Sequence, residues 1–135
     1  MSNGPVRGNN IPPLTIPQGK LVYYMGIVQS GLNQFAQLTD SAGNTLMQMS
    51  GSAPNMQTPT MVGSGYFTAQ DSSQQYTLGI GIDGSPGNGQ VLWSENVISL
   101  DNQVRLTQYT FIVEDANDDD YNDFCVIIQW SMYAG

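Results

Sequence analysis

Between Glu114 and Asp123 six carboxylates fall within ten residues, and the apolar run Phe124–Trp130 follows at once. Carboxylates held a few ångströms apart repel, and without a compensating cation some of them stay protonated at neutral pH. A fold for this chain must therefore place Glu114, Asp115, Asp118, Asp119, Asp120 and Asp123 where a cation can join them. It must do so directly between two strand-like segments, Gln103–Val113 and Phe124–Trp130.

The charge is a local property. The net charge is −8, but outside the acidic segment five acids face Arg7, Lys20 and Arg105, a balance of −2 over 125 residues. Electrostatic binding to nucleic acid or to an anionic membrane surface is excluded by this balance. The absence of histidine removes imidazole catalysis and the commonest zinc ligand. Oxygen donors alone select calcium or magnesium, and calcium accepts the looser geometry of an irregular loop. In extended backbone Asp118, Asp120 and Asn122 project to one side, with Glu114 and Asp123 bracketing them. The spacing Asp118-x-Asp120-x-Asn122 opens like an EF-hand, but Asp123 stands where the turn glycine is required and Gln129 at the twelfth position. An EF-hand is rejected.

The rest of the chain reads as short strands. No apolar stripe of 3.6-residue period persists for three turns. Leu21–Val28, Phe35–Thr39, Thr45–Met49, Thr60–Ala69, Tyr76–Asp83, Val91–Trp93, Val97–Leu100, Gln103–Val113 and Phe124–Trp130 are rich in β-branched and aromatic residues, with turn formers between them. The fold class expected is all-β, an antiparallel β-sandwich of about nine strands. Residues 1–20, punctuated by four prolines, form an N-terminal extended arm in which Leu14–Ile16 can add an edge strand. Residues 21–135 form the sandwich domain. The lone Cys125 excludes an internal disulfide and is expected buried and inert. Trp93 and Trp130 are expected in the core. No cleavable signal is read near the N-terminus and no apolar run is long enough to cross a bilayer, so no membrane insertion is expected. The expected protein is soluble, either cytoplasmic or exported without a cleavable signal.

The pattern E-D-x-x-D-x-D-Y-N-D from Glu114 to Asp123, with its apolar continuation to Trp130, resembles the C-terminal signature of the calcium-dependent bacterial lectins that bind fucose and mannose. The resemblance implies a nine-stranded β-sandwich with two adjacent Ca2+ ions that coordinate vicinal hydroxyls of a monosaccharide. It implies Glu114, Asp118, Asp120, Asn122 and Asp123 as metal ligands, with Asp118 and Asp120 bridging the two ions. It further implies the backbone carbonyl of Gln29, in the turn after the first main strand, and the terminal carboxylate of Gly135 donated by a partner subunit. Ser30, Gly31, Asp115, Asp118, Asp120, Asp123 and Gly135 would then contact the sugar. A homo-oligomer, dimer or tetramer, follows if Gly135 ligates in trans.

Three functions are weighed. The first is a lectin without catalytic residues. The second is an adhesin or scaffold module whose calcium is purely structural. The third, a glycosidase, needs two carboxyls of different acidity facing each other across a cleft, whereas a metal would hold all of these clustered acids ionised.

Overall fold

A computed structural model describes residues 6–7, 11–53, 58–82, 85–86, 90–114 and 123–131. Its strands are β1 (Val6–Arg7), β2 (Leu14–Thr15), β3 (Leu21–Val28), β4 (Gln34–Thr39), β5 (Thr45–Gly51), β6 (Thr60–Thr68), β7 (Gln75–Ile82), β8 (Ser85–Pro86), β9 (Gln90–Leu100), β10 (Gln103–Glu114) and β11 (Phe124–Ser131). They form two antiparallel sheets, β1-β9-β10-β11-β3-β6 and β2-β7-β4-β5, with β8 beside β7. The all-β sandwich expected from the alternation is the fold found.

Period-two alternation decides which side of each strand is buried. Along β11 the residues Phe124, Val126, Ile128 and Trp130 face the core while Cys125, Ile127 and Gln129 do not. Along β10 the inward set is Thr107, Tyr109, Phe111 and Val113. These meet Leu38, Met47, Met49, Leu78 and Ile80 of the second sheet, and burying a side chain of this size stabilises by about 1.5–3 kcal/mol. Trp93 and Trp130 lie in that core. Trp93 stacks on Phe111 and Trp130 packs against Tyr109, with ring centroids 6.1 and 5.9 Å apart.

Two expectations change. The segments Val91–Trp93 and Val97–Leu100 are one continuous strand, because Ser94, Glu95 and Asn96 pair with Thr110, Tyr109 and Gln108 of β10. Their polarity had read as a break, yet Glu95 keeps the inward phase of Val91 and Trp93 and is buried. Cys125 is half-buried on the outer face of its sheet, not in the core, although burial still pushes its thiol up.

Strands β9 and β10 are joined by Asp101 and Asn102, with φ of +55° and +62°. Two successive positive φ values make a type I′ turn, whose twist matches that of a hairpin, and Asp and Asn tolerate that region. At the other end of β10, Val113 pairs with Phe124 and the acidic segment connects them.

Candidate functional site

Three segments meet at the end of the six-stranded sheet where β10 ends and β11 begins. Pairing of Val113 with Phe124 and of Phe124 with Val28 sets the close of β3 beside both borders of the acidic segment. The amide of Asp123 donates to the carbonyl of Val113 at 3.2 Å, and the amide of Gln29 donates to the carbonyl of Asp123 at 3.0 Å. The turn after β3 is held in place by the amide of Ala53, which donates to the carbonyl of Ser30 at 2.8 Å. The hydroxyl oxygen of Ser30 accepts the Leu32 amide at 3.0 Å, a local turn that leaves Gly31 exposed at its apex. Ser30 itself is largely buried.

Glu114 and Asp123 are 2% and 9% exposed, so both ends of the acidic segment carry nearly buried carboxyl groups. Burying a carboxylate is unfavourable unless opposite charge or hydrogen-bond donors compensate it. Of the residues expected at the site, Gln29, Ser30, Gly31, Glu114 and Asp123 are thus drawn to one end of the sandwich. Asp115, Asp118, Asp119, Asp120 and Asn122 lie outside the described residues, as does Gly135. The hydrogen bond from Gln29 uses its amide hydrogen, so the carbonyl oxygen expected as a ligand is a different atom.

Two carboxylates elsewhere have local partners and belong to turns. Asp40 accepts from the amides of Ala42 and Asn44 and from the Asn44 side chain at 2.8–3.0 Å, and these bonds, the Asn44 side chain foremost, lower its pKa. Asp71 accepts from the Ser41 amide at 2.6 Å and from the amide and hydroxyl of Ser73, which hold its carboxyl far below the usual range. Both lie at the end of the second sheet away from Gln34, so they are remote from the acidic segment.

One buried acid escaped the sequence reading. Glu95 is 5% exposed and pairs across the ladder with Tyr109, whose hydroxyl is pushed up to about 12 by burial, with the charge and hydrogen bond of Glu95 adding to it. Its phase with Val91 and Trp93 was the available signal. Glu95 also lines a cavity of about 300 Å³ with Trp130, Val97, Val104 and Lys20, toward the hairpin end of the sheet.

The model of the fucose-binding lectin II (PA-IIL) family matches residues 14–132. Thrombocorticin from Corticium sp. is 30% identical over 129 residues, covering 85% of this chain and 88% of that protein. Among solved structures, the C-terminal domain of the BC2L-C lectin from Burkholderia cenocepacia is similar, with a TM-score of 0.71 at 14% identity, covering 98% of this chain and 100% of the other. The high-affinity mannose-binding lectin of Ralstonia solanacearum gives a TM-score of 0.68 at 19% identity, covering 90% and 97%. The Chromobacterium violaceum lectin CV2L, solved with alpha-methyl-fucoside, gives 0.66 at 20% identity and the same coverage. At these identities the solved structures establish the sandwich fold, and the family match over residues 14–132 establishes the family. The chain belongs to the fucose-binding lectin II (PA-IIL) family and is a carbohydrate-binding lectin, not an enzyme.

Proposed function

We propose that this lectin binds fucose- or mannose-type monosaccharides through two Ca2+ ions held by the acidic segment. The observation that carries the reading is the joining of Gln29, Asp123 and Val113 by backbone hydrogen bonds, with Glu114 and Asp123 nearly buried beside them. Hard oxygen donors in a crowded acidic segment fit calcium, which takes roughly 6–8 oxygens at ~2.3–2.6 Å. Glu114, Asp118, Asp120, Asn122, Asp123 and the Gln29 carbonyl would hold the ions, with the carboxylate of a partner's terminal glycine completing the set. Calcium bound there supplies positive charge and open coordination positions to which cis-vicinal hydroxyls can bind.

The chain's own contribution is placement. The β3 turn is pinned from both sides, by Asp123 and by Ala53, so Ser30 and Gly31 form a fixed wall next to the ions. Vicinal hydroxyls can replace several ordered waters at once, and a fixed wall lowers the ordering cost of binding. The same wall makes Ser30 and Gly31 the residues that tune which sugar fits. Asp115 is assigned as the acceptor for a sugar hydroxyl.

Calorimetry with L-fucose and D-mannose, with and without calcium, tests the reading. Heat of binding that vanishes with a chelator and returns with calcium is expected. A thermal shift with calcium but no heat with either sugar would instead support a purely structural calcium.

A further inference from the structure

We infer that the cavity between the β9–β10 hairpin and the segment leading into β3 binds a neutral bicyclic aromatic molecule carrying one hydrogen-bond donor, independently of calcium and sugar. Strand register builds one wall of it. Val97 pairs with Thr107 and Thr107 with Trp130, a row of three side chains on the inward face of the six-stranded sheet. Thr107 and Trp130 are buried but Val97 is 47% exposed, so the second sheet leaves the outer end of that row uncovered. Glu95 stands one row deeper, opposite Tyr109, and is nearly buried. Val104 and Leu106 extend the apolar lining, and Thr15, Pro17 and Lys20 line the cavity from the segment before β3. The Lys20 amide donates to the Pro17 carbonyl at 3.4 Å and the Gly19 amide to the Ala69 carbonyl at 2.7 Å, which holds that segment in a turn against the sandwich.

Size and lining select the ligand. The cavity holds about 300 Å³. A closed apolar cavity of roughly half that volume accepts one benzene ring, so two fused rings fit. Val97, Val104, Leu106 and Trp130 offer apolar and aromatic contact, and a flat, rigid ring system loses little conformational freedom when it takes such a seat. Glu95 supplies the polar anchor. The Tyr109 hydroxyl accepts from the Thr15 backbone amide and donates to Glu95, which ties the segment before β3 to the sheet and fixes the carboxylate at the cavity. A carboxylate accepts up to about four hydrogen bonds, so the one from Tyr109 leaves capacity for a ligand donor. Glu95 and Lys20 carry opposite charges and both line the cavity, so a neutral ligand adds no unbalanced charge to it. The site is separate from the acidic segment. Thr107 and Glu114 are seven positions apart on β10, about 24 Å at the rise of an extended strand.

Calorimetry on the full chain with indole tests the site, with benzofuran as a ring system of the same shape that lacks the N–H. One indole per chain should bind with a dissociation constant on the order of 100 µM, equally in calcium, in chelator and with mannose present. Benzofuran should bind at least about tenfold more weakly, because it brings no donor to Glu95. Glu95→Gln still accepts from Tyr109 and should narrow that gap to about threefold or less. Val97→Trp, at a half-exposed position, should fill the cavity and abolish binding of both molecules, with far-UV circular dichroism verifying its fold. Four results would each overturn the inference. They are no heat with indole at roughly tenfold the expected constant, indole binding that is lost in chelator, equal affinities for indole and benzofuran, and a gap that Glu95→Gln leaves unchanged. Undiminished indole binding by a folded Val97→Trp protein would overturn it as well.

Discussion

The amide of Gln29 donates to the carbonyl of Asp123 at 3.0 Å, tying the turn after β3 to the residue that opens β11. The two are 94 positions apart in the chain, and neither side chain takes part. Gln29→Ala should therefore change calcium-dependent sugar affinity by no more than about twofold. Gln29→Pro removes the donor and should weaken affinity at least tenfold, the loss of one such bond plus a disturbed turn being worth about 1–2 kcal/mol. Calorimetry against mannose reads both variants, and equal affinities would show that this bridge does not shape the site.

Calcium should stabilise the fold. At a hundredfold excess over its dissociation constant a ligand that binds only the native state adds about 2.7 kcal/mol. For a chain of this size that is a rise of roughly 10 °C in Tm. Glu114→Gln, at a position 2% exposed, should forfeit most of the calcium-dependent rise while leaving the chelated protein folded. An undiminished rise in the variant would remove Glu114 from the ligand set.

The Glu95–Tyr109 pair should make the protein sensitive to alkali. The tyrosine hydroxyl is raised to about 12 in the folded state, from an unfolded value near 10. A raised folded value means the protonated form is favoured by folding, so its contribution is full below pH ~10 and is lost as pH climbs toward 12. Tyr109→Phe should flatten the fall in stability across that window. It should also cost about 1–3 kcal/mol at neutral pH, since Glu95 loses a hydrogen-bond donor while remaining buried. Urea unfolding at several pH values measures both effects.

Gly26 and Gly63 face each other across β3 and β6, and Met49 of the other sheet lies over them. A Cβ at Gly63 would come within 2.5 Å of Met49 Cγ, and one at Gly26 within 3.1 Å of Phe124. Gly63→Ala should destabilise by about 1–3 kcal/mol through overpacking. Adding Met49→Ala should recover part of that loss, so the double variant costs less than the sum of the singles. Additive losses in thermal unfolding would show that the two residues do not press on each other.

Much of the fold was legible because alternation is a local signal. Leu21–Val28 and Phe124–Trp130 could be read as strands, and Trp93 and Trp130 as core, from a few neighbouring residues each. Ser94-Glu95-Asn96 misled because polarity was read as a break, when the ladder to β10 supplied partners for the backbone and Tyr109 a partner for Glu95. Gly26 and Gly63, the bare pair that Met49 fills, carry no such local signal, because only strand register brings them together.

The acidic segment by itself determined the chemistry open to this protein, because charge and donor type travel with residue identity: crowded carboxylates, no imidazole, and a spacing that excludes an EF-hand. Only the tertiary structure decided what stands beside it. Pairing of β11 with both β10 and β3 brings Gln29 and Ser30 to the borders of the acidic segment, almost a hundred residues away. Hydrogen bonding between distant strands, which no stretch of sequence encodes alone, sets that neighbourhood.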